Sequence, residues 1–214
     1  MSSTSPQPFI TLAWWVIMIV VGLTMSTGSN ATGFPHQRAL DVSTFDGHGT
    51  PLDVDVARPP ERREGVQAHS LAQIEQLKWE PGHPGLRTLS LDGKARWVRT
   101  RLNNPSPVTQ KVWLQVSKPY TDDIDCMLHH SDGTWSRVQL GDHRPFATRL
   151  IDVNDFLIPI ELAGRSSLNM ACLIDNDGSV VADLKAWKPR AYMLAHGDEV
   201  FFRAILFGAL IFAL

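Results

Sequence analysis

The chain has 214 residues, 43% of them hydrophobic and 20% charged, with a formal net charge of −2. That length holds one domain of ordinary size plus terminal appendages, and the composition is that of a globular protein. Near-neutral charge without a basic patch removes any electrostatic argument for nucleic-acid binding. The apolar residues gather at the two ends, and the middle reads as soluble.

The N-terminal segment carries an apolar run from Phe9 to Met25, followed by small polar residues. Ser29-Asn30-Ala31 has small residues where a signal peptidase reads, so residues 1–31 are expected to be a signal peptide. Residues 1–8 contain no Lys or Arg, which keeps an uncleaved membrane anchor as the alternative. Either route exports the body of the chain.

Residues 32–65 are rich in Gly, Pro, Asp and Arg and read as an irregular linker, with one edge strand at Pro51–Ala57. The run from Arg58 to Arg63 holds two prolines and a glutamate and reads as solvated rather than phosphate-binding. Ser70 to Leu77 is a short helix: Ser70 can cap it, and Leu71, Ile74 and Leu77 share a face.

From Arg96 onward the period becomes two. Strands are predicted at Arg96–Asn104, Gln110–Ser117, Asp122–His130 and Trp135–Leu140, then across Leu150–Leu162, around Leu168–Ile174 and through Val180–Trp187. Asp132-Gly133 marks a hairpin turn. Seven or eight short strands without intervening long helices predict a mainly β fold, a β-sandwich or jelly roll, over residues 66–190.

From Lys188 to Phe207 the period is helical, and Ala204 to Leu214 carries no polar side chain. A membrane-spanning helix needs roughly 20 apolar residues, more than the stretch from Val200 provides. Residues 191–214 are therefore expected to be a connector and the truncated start of a first transmembrane helix.

Catalytic patterns are absent: no phosphate-binding glycine loop, no nucleophile elbow, no His-Glu-x-x-His and no Cys-x-x-Cys. No cofactor, metal or catalytic residue is expected. Asp122, Asp123 and Asp125 lack the spacing of a calcium loop. His129-His130 lie on opposite faces of a strand and suit joint metal coordination poorly. Cys126 and Cys172 both fall in alternating apolar patterns. They can form a disulfide in an oxidising compartment, while two buried thiols is the slightly favoured reading.

Trp97, Trp113, Trp135 and Trp187 fall in or beside predicted strands. A tryptophan on a sandwich face can stack on a sugar ring, although large aromatics are more often core. Trp113 is the foremost stacking candidate because it alternates with Lys111 and Gln115 on a polar face. Lys111, Trp135, His129 and Arg144 complete the candidate ligand set.

The middle of the chain resembles a known family. Trp97 to Arg99 opens a strand that closes at Asn103-Asn104-Pro105. Pro119, Asp122 and Asp125 follow, then Asp132-Gly133 with Trp135, Gly141-Asp142, Pro145-Phe146, and a strand holding Phe156 and Pro159. In that order they resemble the type 2 extracellular sensor domain of bacterial seven-transmembrane receptors with diverse intracellular signalling modules (DISM receptors). The resemblance implies a jelly-roll sandwich similar to carbohydrate-binding modules, following a signal peptide and preceding seven transmembrane helices.

It further implies a sensing role outside the cytoplasm, in the periplasm at the inner membrane, for a carbohydrate or other small molecule. A cytoplasmic diguanylate cyclase, histidine kinase or phosphatase would follow, and the full receptor would be a homodimer. It carries over no binding-residue motif; Pro119, Asp125, Gly141 and Asp142 read as turn and fold positions. The alternatives are an assembly module without a small ligand and a secreted glycan-active protein. No acid–base carboxylate pair supports the latter.

Overall fold

The computed structural model describes residues 38–59, 71–82, 88–91, 93–116 and 118–212. The signal or anchor segment, residues 1–31, lies outside them. Three strands open the described chain: β1 (Leu40–Asp41), β2 (His48–Pro51) and β3 (Asp55–Ala57). The short helix α1 (Leu71–Glu75) is followed by β4 (Glu80–Pro81) and β5 (Thr88–Ser90). The long strands are β6 (Arg96–Asn104), β7 (Gln110–Gln115), β8 (Asp123–His130), β9 (Trp135–Leu140), β10 (Leu157–Leu162) and β11 (Ser166–Asp175). Then come β12 (Val180–Val181), β13 (Lys185–Trp187) and a closing helix, α2 (Pro189–Phe212).

The strands form a β-sandwich. The larger sheet runs β4-β3-β6-β11-β8-β9, with β1 added in parallel at the far end of the β6 edge that also pairs β3. The smaller sheet runs β10-β7-β13-β2, and β12 pairs β5 separately. All pairings other than that of β1 are antiparallel, the arrangement expected of strands that alternate apolar-in and polar-out.

Alternation sets what is buried. Val98 and Leu102 of β6, Ile124, Cys126 and Leu128 of β8, and Leu168, Met170, Cys172 and Ile174 of β11 face inward from the larger sheet. Val112 and Leu114 of β7 and Ile158, Ile160 and Leu162 of β10 meet them from the smaller one. Each such side chain contributes about 1.5–3 kcal/mol relative to exposure. A second cluster lies on the outer face of the larger sheet, where Trp97 and Ala171 pack with Ile74 of α1 and Ala57 of β3.

Three features differ from the sequence expectation. The stretch expected as an irregular linker supplies three strands to both sheets, and Val42, Phe45, Leu52 and Val54 lie in the core. Its strands are too short for alternation to show. Leu150–Phe156 is not strand but irregular chain after a 3₁₀ turn at Phe146–Thr148. Cys126 and Cys172 are not two free thiols: they stand directly opposite each other in the β8–β11 register and form a disulfide. The α2 helix is 24 residues long, and no helix among the described residues is long and apolar enough to cross a membrane.

Two turns show why particular residues stand where they do. Gly133 takes φ +85° in the β8–β9 hairpin, where the His130 N–H donates to Thr134 and the Gly133 N–H back to His130. Gly141 takes φ +139°, and a Cβ there would sit 2.1 Å from the Asp122 carbonyl oxygen. Only glycine fits both the dihedral and the approach.

Candidate functional site

The five sequence candidates fall in three places. Trp113 and Lys111 lie on β7, on the outer face of the smaller sheet; Lys111 pairs there with Glu161 at 2.8 Å. Trp113 is not an open stacking platform. It stands opposite Trp187 of β13, and the Tyr192 ring of α2 meets both edge-on, at 5.5 and 5.4 Å.

This is a joint between sheet and helix. Tyr192 is fully buried, with 0% exposure. Its hydroxyl donates to Asp155 Oδ2 at 3.0 Å, and the same oxygen receives Gln115 Nε2 at 3.1 Å. His196, stacked on the Tyr192 ring, lies 3.2 Å from that oxygen through Nε2. Gln115 Oε1 in turn accepts the Trp187 indole N–H at 2.9 Å. One carboxylate thus gathers β7, the chain before β10, and the first two turns of α2. Only Lys188 separates β13 from Pro189, whose fixed φ suits the first helical position.

Trp135 and His129 sit together on the outer face of the larger sheet. Their rings stack with centroids 4.0 Å apart and planes 6° from parallel. The register continues this row: Trp135 opposes His129, His129 opposes Asn169, and Asn169 opposes Arg101. Asn169 is only 8% exposed, and its Oδ1 has no hydrogen-bond partner. Arg101 Nε is likewise buried without one. Sequence reasoning missed both residues. Alternation alone assigns them to the outer face, between inward-facing Leu168 and Met170 and beside inward-facing Leu102, but nothing in the sequence reveals which strands lie next to each other.

The flanking charges on this face are paired. Arg99 meets Asp55 at 2.8 Å and lies over Trp79. Arg137 grips Asp125 through both carboxylate oxygens, with Nε to Oδ1 at 2.8 Å.

Arg144 lies apart, in the loop after β9, 3.6 Å from Asp123. Nearby, Asp122, Asp142 and His143 bring one ligand atom each within 4.8 Å of one another. Asp122 Oδ2 already accepts the Asp177 N–H at 2.6 Å, and His143 stands 3.5 Å from Asp123. The arrangement is that of a loop held by internal polar contacts.

The family described as 7TMR-DISM extracellular 2 matches residues 62–188, more than half of the chain. The chain belongs to this family. It is thus an extracellular receptor domain, as the resemblance implied, and the domain faces outward. The DISM motif positions have structural work in the fold. Asn104 donates through Nδ2 to the carbonyls of Val108, Leu162 and Ala163, tying two turns together. Asp125 holds Arg137, and Gly141 permits the close approach to Asp122. No curated protein matches the chain. Among solved structures, the fold is similar to TmCBM61 in complex with β-1,4-galactotriose, at 11% identity and a TM-score of 0.27. That match covers 46% of this chain and 66% of the other, just under two thirds of its length.

Proposed function

We propose that this DISM extracellular domain is the ligand-sensing part of a bacterial inner-membrane receptor, lying in the periplasm and passing its state through α2 to transmembrane helices and a cytoplasmic output module. One observation carries the reading: the last strand of the sandwich enters α2 through a single residue, and that helix is clamped to the sheet by Tyr192, Asp155, Gln115 and His196. A shift of β7 against β13 therefore has no slack to dissipate in. It tilts or rotates α2, biasing a two-state assembly. The domain itself does no catalysis in this reading, and its ligand is a small molecule or carbohydrate.

A second reading is supported by a different observation. Phe201, Phe202, Ile205, Leu206, Phe207 and Ile211 of α2 are all exposed, Ile211 at 73%. These suit contact with lipid or with the α2 of a second receptor chain, and an assembly role would need no small ligand.

Thermal shift of the whole chain in detergent, against sugars, oligosaccharides and small metabolites, separates the two. A ligand at about 100 times its dissociation constant adds roughly 2.7 kcal/mol. A reproducible upward shift supports sensing; a flat panel with the protein folded favours assembly.

A further inference from the structure

We infer that the row Trp135, His129, Asn169 and Arg101 on the outer face of the larger sheet is a binding site for a short acidic oligosaccharide, one bearing uronate carboxylates. The inference rests on the sensing reading and adds to it the place of the site and the charge of its ligand.

The row leaves hydrogen bonding unmet. A buried polar group without a partner costs about 1–3 kcal/mol, and this row holds two such atoms on directly opposed residues of β6 and β11. Asn169 Oδ1 needs a donor, and Arg101 Nε needs an acceptor. They do not satisfy each other. A hydroxyl supplies both functions at once, and a carboxylate supplies the acceptor alone.

The charges on this face are unevenly compensated. Arg99 and Arg137, at the two ends of the neighbouring row through Ala171 and Met127, are each neutralised by an aspartate. Arg101 has no ion-pair partner among the described residues. A guanidinium presents its donors in a fork that fits a carboxylate, so the uncompensated cation selects an acid over a neutral sugar.

Trp135 supplies a platform. Trp135 is 40% exposed at the other end of the row, and stacking against His129 holds its ring in place. A fixed aromatic plane suits the apolar face of a pyranose. Three interstrand steps of about 4.8 Å separate Trp135 from Arg101, roughly 14 Å in all. A single ring cannot reach both ends, whereas two or three linked rings can. Reaching the two shielded atoms requires the half-buried Arg101 side chain to rotate aside.

The test titrates the 214-residue chain, in detergent, with trigalacturonate and with a neutral trisaccharide, following Trp fluorescence and calorimetric heat. Trigalacturonate is expected to bind at least tenfold more tightly than the neutral sugar. Trp135→Ala should weaken it tenfold or more. Arg101→Gln, which keeps the packing of the long side chain, should erase the preference for the acid. A Trp113→Ala variant should bind as the parent does. Equal binding of the two sugars, or a preference untouched by Arg101→Gln, overturns the acidic specificity. Binding that survives Trp135→Ala overturns the site and leaves sensing standing. If neither sugar binds, the inference fails, and the sensing reading is then judged separately by the broader ligand panel.

Discussion

Asp183 carries the clearest electrostatic signature. Burial pushes its carboxyl up, but the ammonium groups of Lys118 at 2.9 Å and Lys185 at 3.0 Å outweigh that and hold it below the usual carboxylate range. A carboxyl whose pKa is lower folded than unfolded stabilises the fold above its unfolded value, near 3.9. That contribution disappears as pH falls through the folded value. Asp183→Asn should therefore lower the urea midpoint at pH 7 and flatten the loss of stability below about pH 4. A variant as acid-sensitive as the parent would assign that loss to other groups. The disulfide is the second residue-scale device. Cys126 and Cys172 are 46 residues apart in sequence, and closing such a loop contributes up to about 4 kcal/mol through the unfolded chain. The double Cys→Ala variant should lose stability of that order in urea. The sequence left this pairing open because alternation buries both cysteines whether bonded or not; only the register brings them face to face.

At the scale of elements, the joint between β7, β13 and α2 is where a substitution should separate local from global effects. Asp155→Ala removes the acceptor shared by Gln115, Tyr192 and His196. The amides of residues 190–197 should then exchange roughly 5–30-fold faster, with little change in β6, β8 and β11. Uniform acceleration everywhere would make Asp155 a general stability residue. The long strands were legible from period two: β6, β8 and β9 fall where alternation places them, within a residue. The joint was not. Trp113 alternates with polar neighbours and so reads as a surface platform, but its covering, Tyr192, comes from a helix nearly 80 positions later. Likewise Asn169 and Arg101 are ordinary polar positions until the β6–β11 pairing sets them side by side.

At the scale of the whole molecule, the domain begins earlier than composition indicates. The stretch of residues 38–57, within the segment that composition marks as linker, holds strands of two to four residues that close both sheets and bury Val42, Leu52 and Val54. A chain beginning at residue 66 should fail to fold cooperatively, whereas one beginning at residue 38 should retain a sigmoidal thermal transition. A cooperative transition in the shorter chain would show the early strands to be dispensable. The family was legible because its turn residues recur in order along the chain, and those positions have local structural causes. The row from Trp135 to Arg101 was not, since its residues come from four strands whose order the sequence does not show.

The central claim is that occupancy of the sandwich is felt at α2, and hydrogen exchange on the whole chain, with and without a saturating ligand found in the thermal-shift panel, tests it most directly. The account predicts that exchange at residues 190–197 changes together with exchange in the strands that meet the ligand. A ligand that alters the strands but leaves residues 190–197 at their unliganded rate would contradict it.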